Sequence, residues 1–175
     1  MVTRQAGPED WPRIWPVWRA AVADGETYTW DPETTEEAAR AAWMLPEPAE
    51  VWVIEDDTDP TMPAVAGTAQ LGPNLPDLGS HVAHAVFMAD PDYDEIEVIR
   101  ELADHVIDRA TDLGYRAMQF NEVPATNPRL VALWRSLAFR VVGTLPAAFQ
   151  HPRLGDVDLY VMHRFLPWQS SGIRW

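Results

Sequence analysis

The sequence predicts one α/β domain of the α+β type: a central mixed, mostly antiparallel twisted sheet flanked by about four helices. Three observations carry this. Segments with a two-residue apolar period and segments with a helical period succeed one another in the order βααβββαβαββ. Links of hairpin length join the middle strands, which suits antiparallel neighbours; parallel ones need a long crossover. Finally, 175 residues that are 47% hydrophobic suffice for one sizeable core, with no shift in composition to mark a second. Residues 1–165 read as the domain and 166–175 as a C-terminal tail.

Val2–Gln5 alternates as a short strand and runs into Gly7-Pro8-Glu9-Asp10. A helix follows over about 11–22, where Trp11, Ile14, Trp15 and Trp18 fall at i, i+3, i+4 and i+7 and form a wide apolar stripe. Pro12 suits its first turn, whereas Pro16 lies deeper and should kink or strain it. After the loop DGETYTWDPETT, Thr34 or Thr35 opens a second helix with Glu36 and Glu37 in its first turn. Three strands follow, Val51–Glu55, Ala64–Leu71 and His81–Ala89, separated by the turn clusters DDTDP and GPNLPDLGS. The third helix presents Ile99, Leu102, Val106 and Ala110 on one face and stops at Gly114, a residue suited to the position after a helix. Tyr115–Phe120 is a strand, Asn127–Leu137 a helix, and Phe139–Leu145 and Asp156–His163 the last strands before FLPWQSSGIRW.

Composition narrows the chemistry. The formal charge of -14 disfavours nucleic acid or an anionic membrane surface as a partner. With no cysteine there is no thiolate nucleophile, disulfide or Cys-ligated zinc, and every basic residue is arginine, so no lysine Schiff base can form. No apolar run is long enough to span a bilayer, and MVTRQAGPEDW lacks a signal-peptide core, so a cytoplasmic location is expected. His81 and His84 are three apart on one strand and point to opposite faces, which argues against a metal site; none is expected.

LGYRAMQFNEV followed by ATNPRLVALWRSLAFRVVGTLP resembles a strand–helix–strand unit with the pattern N-x-x-A-x-x-L-[YW]-x-x-x-G-F. Here it reads Asn127, Leu130, Leu133, Trp134, Ala138 and Phe139. On that unit and on the element order over roughly residues 2–165, the chain resembles the GNAT (GCN5-related) N-acetyltransferases. The resemblance implies a CoA pyrophosphate cradled by backbone N–H groups of a glycine-rich turn, where the positive end of the third helix attracts anions. It also implies an acceptor pocket between the first two helices and the last strands, a carboxylate base on the fourth or fifth strand, and a tyrosine acid on the fourth helix.

The pyrophosphate turn departs from the family form P-x-x-R-G-x-G-[VI]-G-x-x-L. Counted from Pro91, Asp94 stands at the arginine and Glu95, Glu97 and Ile99 at the glycines, while Val98 and Leu102 keep register. Asp94 then reads as an N-cap with Glu97 at N3, the helix supplying its own anion. A pyrophosphate beside these carboxylates would cost on the order of 4 kcal/mol per close like-charged pair at intermediate dielectric.

The expectation is therefore a GNAT-fold enzyme with a degenerate CoA motif, no cofactor, and CoA-independent acid–base chemistry on a small molecule: cyclisation, isomerisation, elimination or hydrolysis. Glu26, Glu122, His84 and His151 are the candidate acid–base residues, and Tyr28, Trp30, Asn127, Trp134 and Arg153 the candidate substrate contacts. Trp134 stands at the family's tyrosine, and its indole N–H donates a hydrogen bond but supplies no acidic proton. Two alternatives stand beside this: a small-amine N-acetyltransferase that holds acetyl-CoA unusually, and a non-catalytic GNAT-like binding protein. A homodimer through an edge strand or the Trp168- and Trp175-bearing tail is also expected.

Overall fold

The computed structural model describes residues 1–58, 61 and 63–167; the tail residues Trp168 and Trp175 lie outside them. Its elements are β1 (Val2–Gln5), α1 (Trp11–Val22), α2 (Glu36–Trp43), β2 (Glu50–Asp56), β3 (Ala64–Pro73), β4 (Val82–Ala89), α3 (Glu95–Asp112), β5 (Ala117–Pro124), α4 (Pro128–Ser136), β6 (Arg140–His151) and β7 (Gly155–Phe165). This is the expected single α/β domain. Pro16 sits inside α1 without ending it, and Thr35 caps α2 by accepting from the Ala38 N–H at 3.3 Å.

The seven strands form one sheet in the order β1-β2-β3-β4-β5-β7-β6. Every neighbouring pair is antiparallel except β4–β5. Alternation along β4 divides the core. Ala83, Ala85, Phe87 and Ala89 face α3 and α4, packing with Val98, Ile99, Leu102, Val106 and Trp134. Val86 and Met88 face α1 and α2, with Ile14, Trp18, Ala39 and Trp43. Gly67 on β3 lets α3 come close: a Cβ there would lie 2.5 Å from Val98 Cγ1 and 2.8 Å from the Met88 carbonyl oxygen.

One edge of the sheet is tied to α1 by charge. Arg4 donates to Asp10 at 2.7 Å and to Glu55 at 2.8 Å, and Arg13 reaches Glu55 at 2.7 Å. Asp10 and Glu55 are buried, and the Arg4 hydrogen bonds hold both carboxyls below their ordinary range against the opposing cost of burial. Carboxylates whose folded pKa is depressed contribute stability above their unfolded pKa, about 4, and lose it as pH falls through the folded value. The melting temperature is therefore expected to drop steeply below about pH 4. Arg4→Met should flatten that acid limb; an unchanged acid slope would remove the network as its source.

Candidate active site

β4 and β5 hydrogen-bond for only three residue pairs, Val82 with Ala117, Ala83 with Met118 and His84 with Gln119. Beyond them β4 keeps β3 and β5 keeps β7, and the two strands part. The gap passes through the sheet and opens a cavity of about 180 Å³. On the α3 side its walls are apolar: Phe87, Ile99, Phe120, Leu130 and Trp134. On the α1–α2 side they are Tyr28, Thr29, Trp30, Gln70, His84 and Val86, with Asn121 and Glu122 from β5.

Each polar group there has a defined anchor. The Tyr28 hydroxyl donates to the Phe87 carbonyl at 2.7 Å, so a backbone acceptor on the parted strand is met by a side chain. Burial raises that phenol's pKa, with Glu95 and Asp24 adding to the effect, so it remains a protonated donor. Tyr28 stacks on Trp30 at 6.2 Å, and Trp30 packs on Trp18 and Trp43 behind it. Thr29 donates to Glu122 at 2.5 Å, joining the α1–α2 loop to β5. Gln119 donates to Asn121 at 2.7 Å, and Asn121 donates to Asn74 at 2.6 Å.

His84 sits in the last paired position before the strands part, opposite Gly72 on β3. Its Nδ1 lies 2.9 Å from the Gln119 carbonyl oxygen. A carbonyl can only accept, so Nδ1 carries the proton and Nε2 is the basic nitrogen of this cavity-lining imidazole. His81, three residues earlier, bonds the Leu78 carbonyl at 3.1 Å and lies outside the cavity.

At the start of α3, Asp94 Oδ1 accepts from the N–H groups of Ile96 and Glu97 at 3.0 and 3.1 Å, the expected cap. Those hydrogen bonds, with Arg129 3.5 Å away, hold the Asp94 carboxyl below its ordinary range. Glu97 contributes its N–H to the cap. Burial pushes the Glu95 carboxyl up, with Asp24 and Asp94 adding to this and Arg129 opposing it.

Five of the sequence candidates therefore meet at one cavity: Tyr28, Trp30, His84, Glu122 and Trp134. The other four do not line it. Asn127 spends its side chain capping α4, accepting from the Leu130 N–H. Glu26 and Arg153 pair with each other at 2.6 Å between the α1–α2 loop and the β6–β7 turn. His151, read as part of a loop, ends β6; it is buried, and its Nδ1 accepts from the Arg153 N–H at 3.2 Å. Thr29, Gln70 and Asn121 line the cavity without having been singled out from the sequence. Uncharged side chains on a strand or in a loop carry no local mark of facing a gap between strands.

The seven-stranded α/β sheet, parted at its one parallel pair, matches the fold of solved GNAT structures. The chain belongs to the acetyltransferase (GNAT) family, whose sequence model matches residues 14–139. It is similar to the structure of a GCN5-related N-acetyltransferase from Kribbella flavida, with 46% identity, a TM-score of 0.86, and coverage of 94% of this chain and 97% of that one. It shares its fold with a phosphinothricin acetyltransferase from Sinorhizobium meliloti in complex with acetyl-CoA, at 21% identity and a TM-score of 0.81 over 98% of this chain and 91% of that one. Among curated proteins, it is 29% identical over 105 residues to the N-acetyltransferase aca1 of Schizosaccharomyces pombe, covering 59% of this chain. The chain spans about half the length of that relative.

These findings overturn the expectation of CoA-independent chemistry. Membership of an acetyltransferase family, and a curated relative named as an N-acetyltransferase, run against it, and nothing among the described residues shows a lost CoA site. The expectation of no cofactor falls with it. That expectation had rested on the charge of one helix turn.

Proposed function

We propose that this protein is an N-acetyltransferase that moves an acetyl group from acetyl-CoA to a small primary amine. The observation that carries the reading is the parting of β4 and β5, which opens an apolar slot leading from the α3 face to His84 on the other. Acetyl-CoA supplies the acetyl group as an activated thioester. Phe87, Phe120, Leu130 and Trp134 would hold the acyl end of its arm, and the backbone edges freed by the parting suit the amides of that arm.

His84 Nε2 is suited to take the proton that a substrate ammonium must lose before its nitrogen can attack a carbonyl carbon. Glu122 and Thr29 hold the ammonium on the same side. Trp134 donates a hydrogen bond from its indole N–H and supplies no proton to a leaving sulfur, so that sulfur departs as thiolate or is protonated from solvent. At the start of α3 the acids weaken the diphosphate grip without removing it. Asp94 occupies two first-turn N–H groups, and Arg129 is the cation beside it.

Acetyl-CoA titrated into the protein tests this directly. A ligand that binds the native state raises the melting temperature by mass action. A saturable rise, and release of free CoA thiol once amine is added, is the expected result; no rise at millimolar acetyl-CoA would overturn the reading.

A further inference from the structure

We propose that the acceptor is a primary amine on an aromatic or otherwise apolar body without a carboxylate, an arylalkylamine rather than an amino acid. This rests on the acetyl-transfer reading above and deepens it. The cavity passes through the sheet, and alternation along β4 assigns its walls. Phe87 faces α3, whereas His84 and Val86 face α1 and α2. If the acyl arm enters from the α3 side, the acceptor's half is bounded by Tyr28, Trp30, Val86, Gln70, Asn121, Glu122 and His84.

The charges in that half are one-sided. Its one carboxylate is Glu122 and its one imidazole His84, while burial keeps the Tyr28 phenol protonated; no arginine lines the cavity, and the chain has no lysine. The two cations on the nearby loops and helix ends already face carboxylates, Arg153 with Glu26 at 2.6 Å and Arg129 with Asp94 at 3.5 Å. An ammonium entering here meets Glu122, and the formal charge of -14 draws cations toward the protein. A carboxylate on the same small molecule would lie beside the Glu122 carboxylate, like charge against like, with no arginine lining the cavity to pair with it.

The aromatic wall is built in advance. Tyr28 is tied to the Phe87 carbonyl, and Trp30 is backed by Trp18 and Trp43, so neither ring needs ordering when an apolar body packs against it. Gln70 adds no free donor for a carboxylate, because its amide nitrogen already donates to the Ala42 and Trp43 carbonyls at 2.9 and 2.6 Å.

Matched pairs isolate the carboxylate: phenethylamine against phenylalanine, and tryptamine against tryptophan, each assayed by CoA release at saturating acetyl-CoA. The amine of each pair is expected to exceed its amino acid in kcat/KM by about 100-fold. Asn121→Arg, which adds a cation to the acceptor's half, should narrow that ratio about tenfold. Equal or faster turnover of the amino acids overturns the proposal, as does an unchanged ratio in Asn121→Arg. A protein that binds acetyl-CoA by melting shift but acetylates none of the four compounds has the wrong acceptor class while the acetyl-transfer reading stands. A protein with no melting shift loses both.

Discussion

Replacing His84 with phenylalanine is expected to lower kcat by about 10²- to 10⁴-fold, the usual worth of a positioned general base. The ring shape is kept, so the cavity wall stays apolar and filled, while the basic Nε2 is lost. The bond from Nδ1 to the part-buried Gln119 carbonyl is lost too, at a cost of about 1 kcal/mol. The melting temperature should therefore fall modestly while the acetyl-CoA-induced shift persists. Steady-state kinetics with a fixed amine separate the roles: a positioning residue would move KM, a base kcat. Partial recovery of His84→Gly activity with added imidazole is the confirming sign. Unchanged kcat in His84→Phe would pass the proton to Glu122, whose Glu122→Gln variant is otherwise expected to act mainly on amine KM.

Removing charge at the start of α3 should strengthen, not weaken, the binding of acetyl-CoA. Asparagine caps a helix about as well as aspartate, so Asp94→Asn keeps the hydrogen bonds to Ile96 and Glu97 while removing an anion. Combined with Glu95→Gln, whose carboxylate is half-buried beside the same turn, it is expected to lower the acetyl-CoA Kd by about tenfold at low salt, with the gain shrinking as salt screens the repulsion. Glu101→Gln, exposed further along α3, serves as the control and should change little. Calorimetric titration at two salt concentrations decides it: equal affinity in wild type and double variant would mean that the diphosphate lies away from this turn.

How much of this could be read from the sequence depended on the range of the physics. The strands and helices were legible because period and caps act locally. Thr35 and Asp94 cap α2 and α3, and Ile99, Leu102 and Val106 face the sheet as their spacing demands. The end of β6 was not. Pro146 and Ala147, at φ +51°, argue for a loop, yet the strand resumes at Phe149. An edge strand tolerates a proline and a bulge, and β6 is an edge. His151, read as lying in that loop, stands instead at the end of β6 and does not line the cavity.

The site was legible to the extent that alternation along β4 puts His84 on the face opposite Phe87; His81, read as part of the same strand, precedes β4 and bonds the Leu78 carbonyl. Which face held the cleft depended on the register of His84 against Gly72 and Gln119, a pairing between distant segments. The Glu26–Arg153 pair spans 127 positions and leaves no mark on either local stretch. Asn127 looked like a ligand because an amide at a helix start serves as a cap or as a contact, and only the geometry separates the two.

The three-pair contact between β4 and β5 divides the sheet into two antiparallel blocks, β1–β4 and β5–β7, each complete in its own ladder. A seam so short can open or close while few hydrogen bonds change, because neither block depends on the other for most of its pairing. The width of the slot is set less by backbone pairing than by the rings that cross it, Trp134 packing on both Phe87 and Phe120. The two blocks are joined instead by side chains, Phe87 of one against Phe120 of the other at 6.0 Å, so a substitution that resizes the chamber also alters a core that both blocks share.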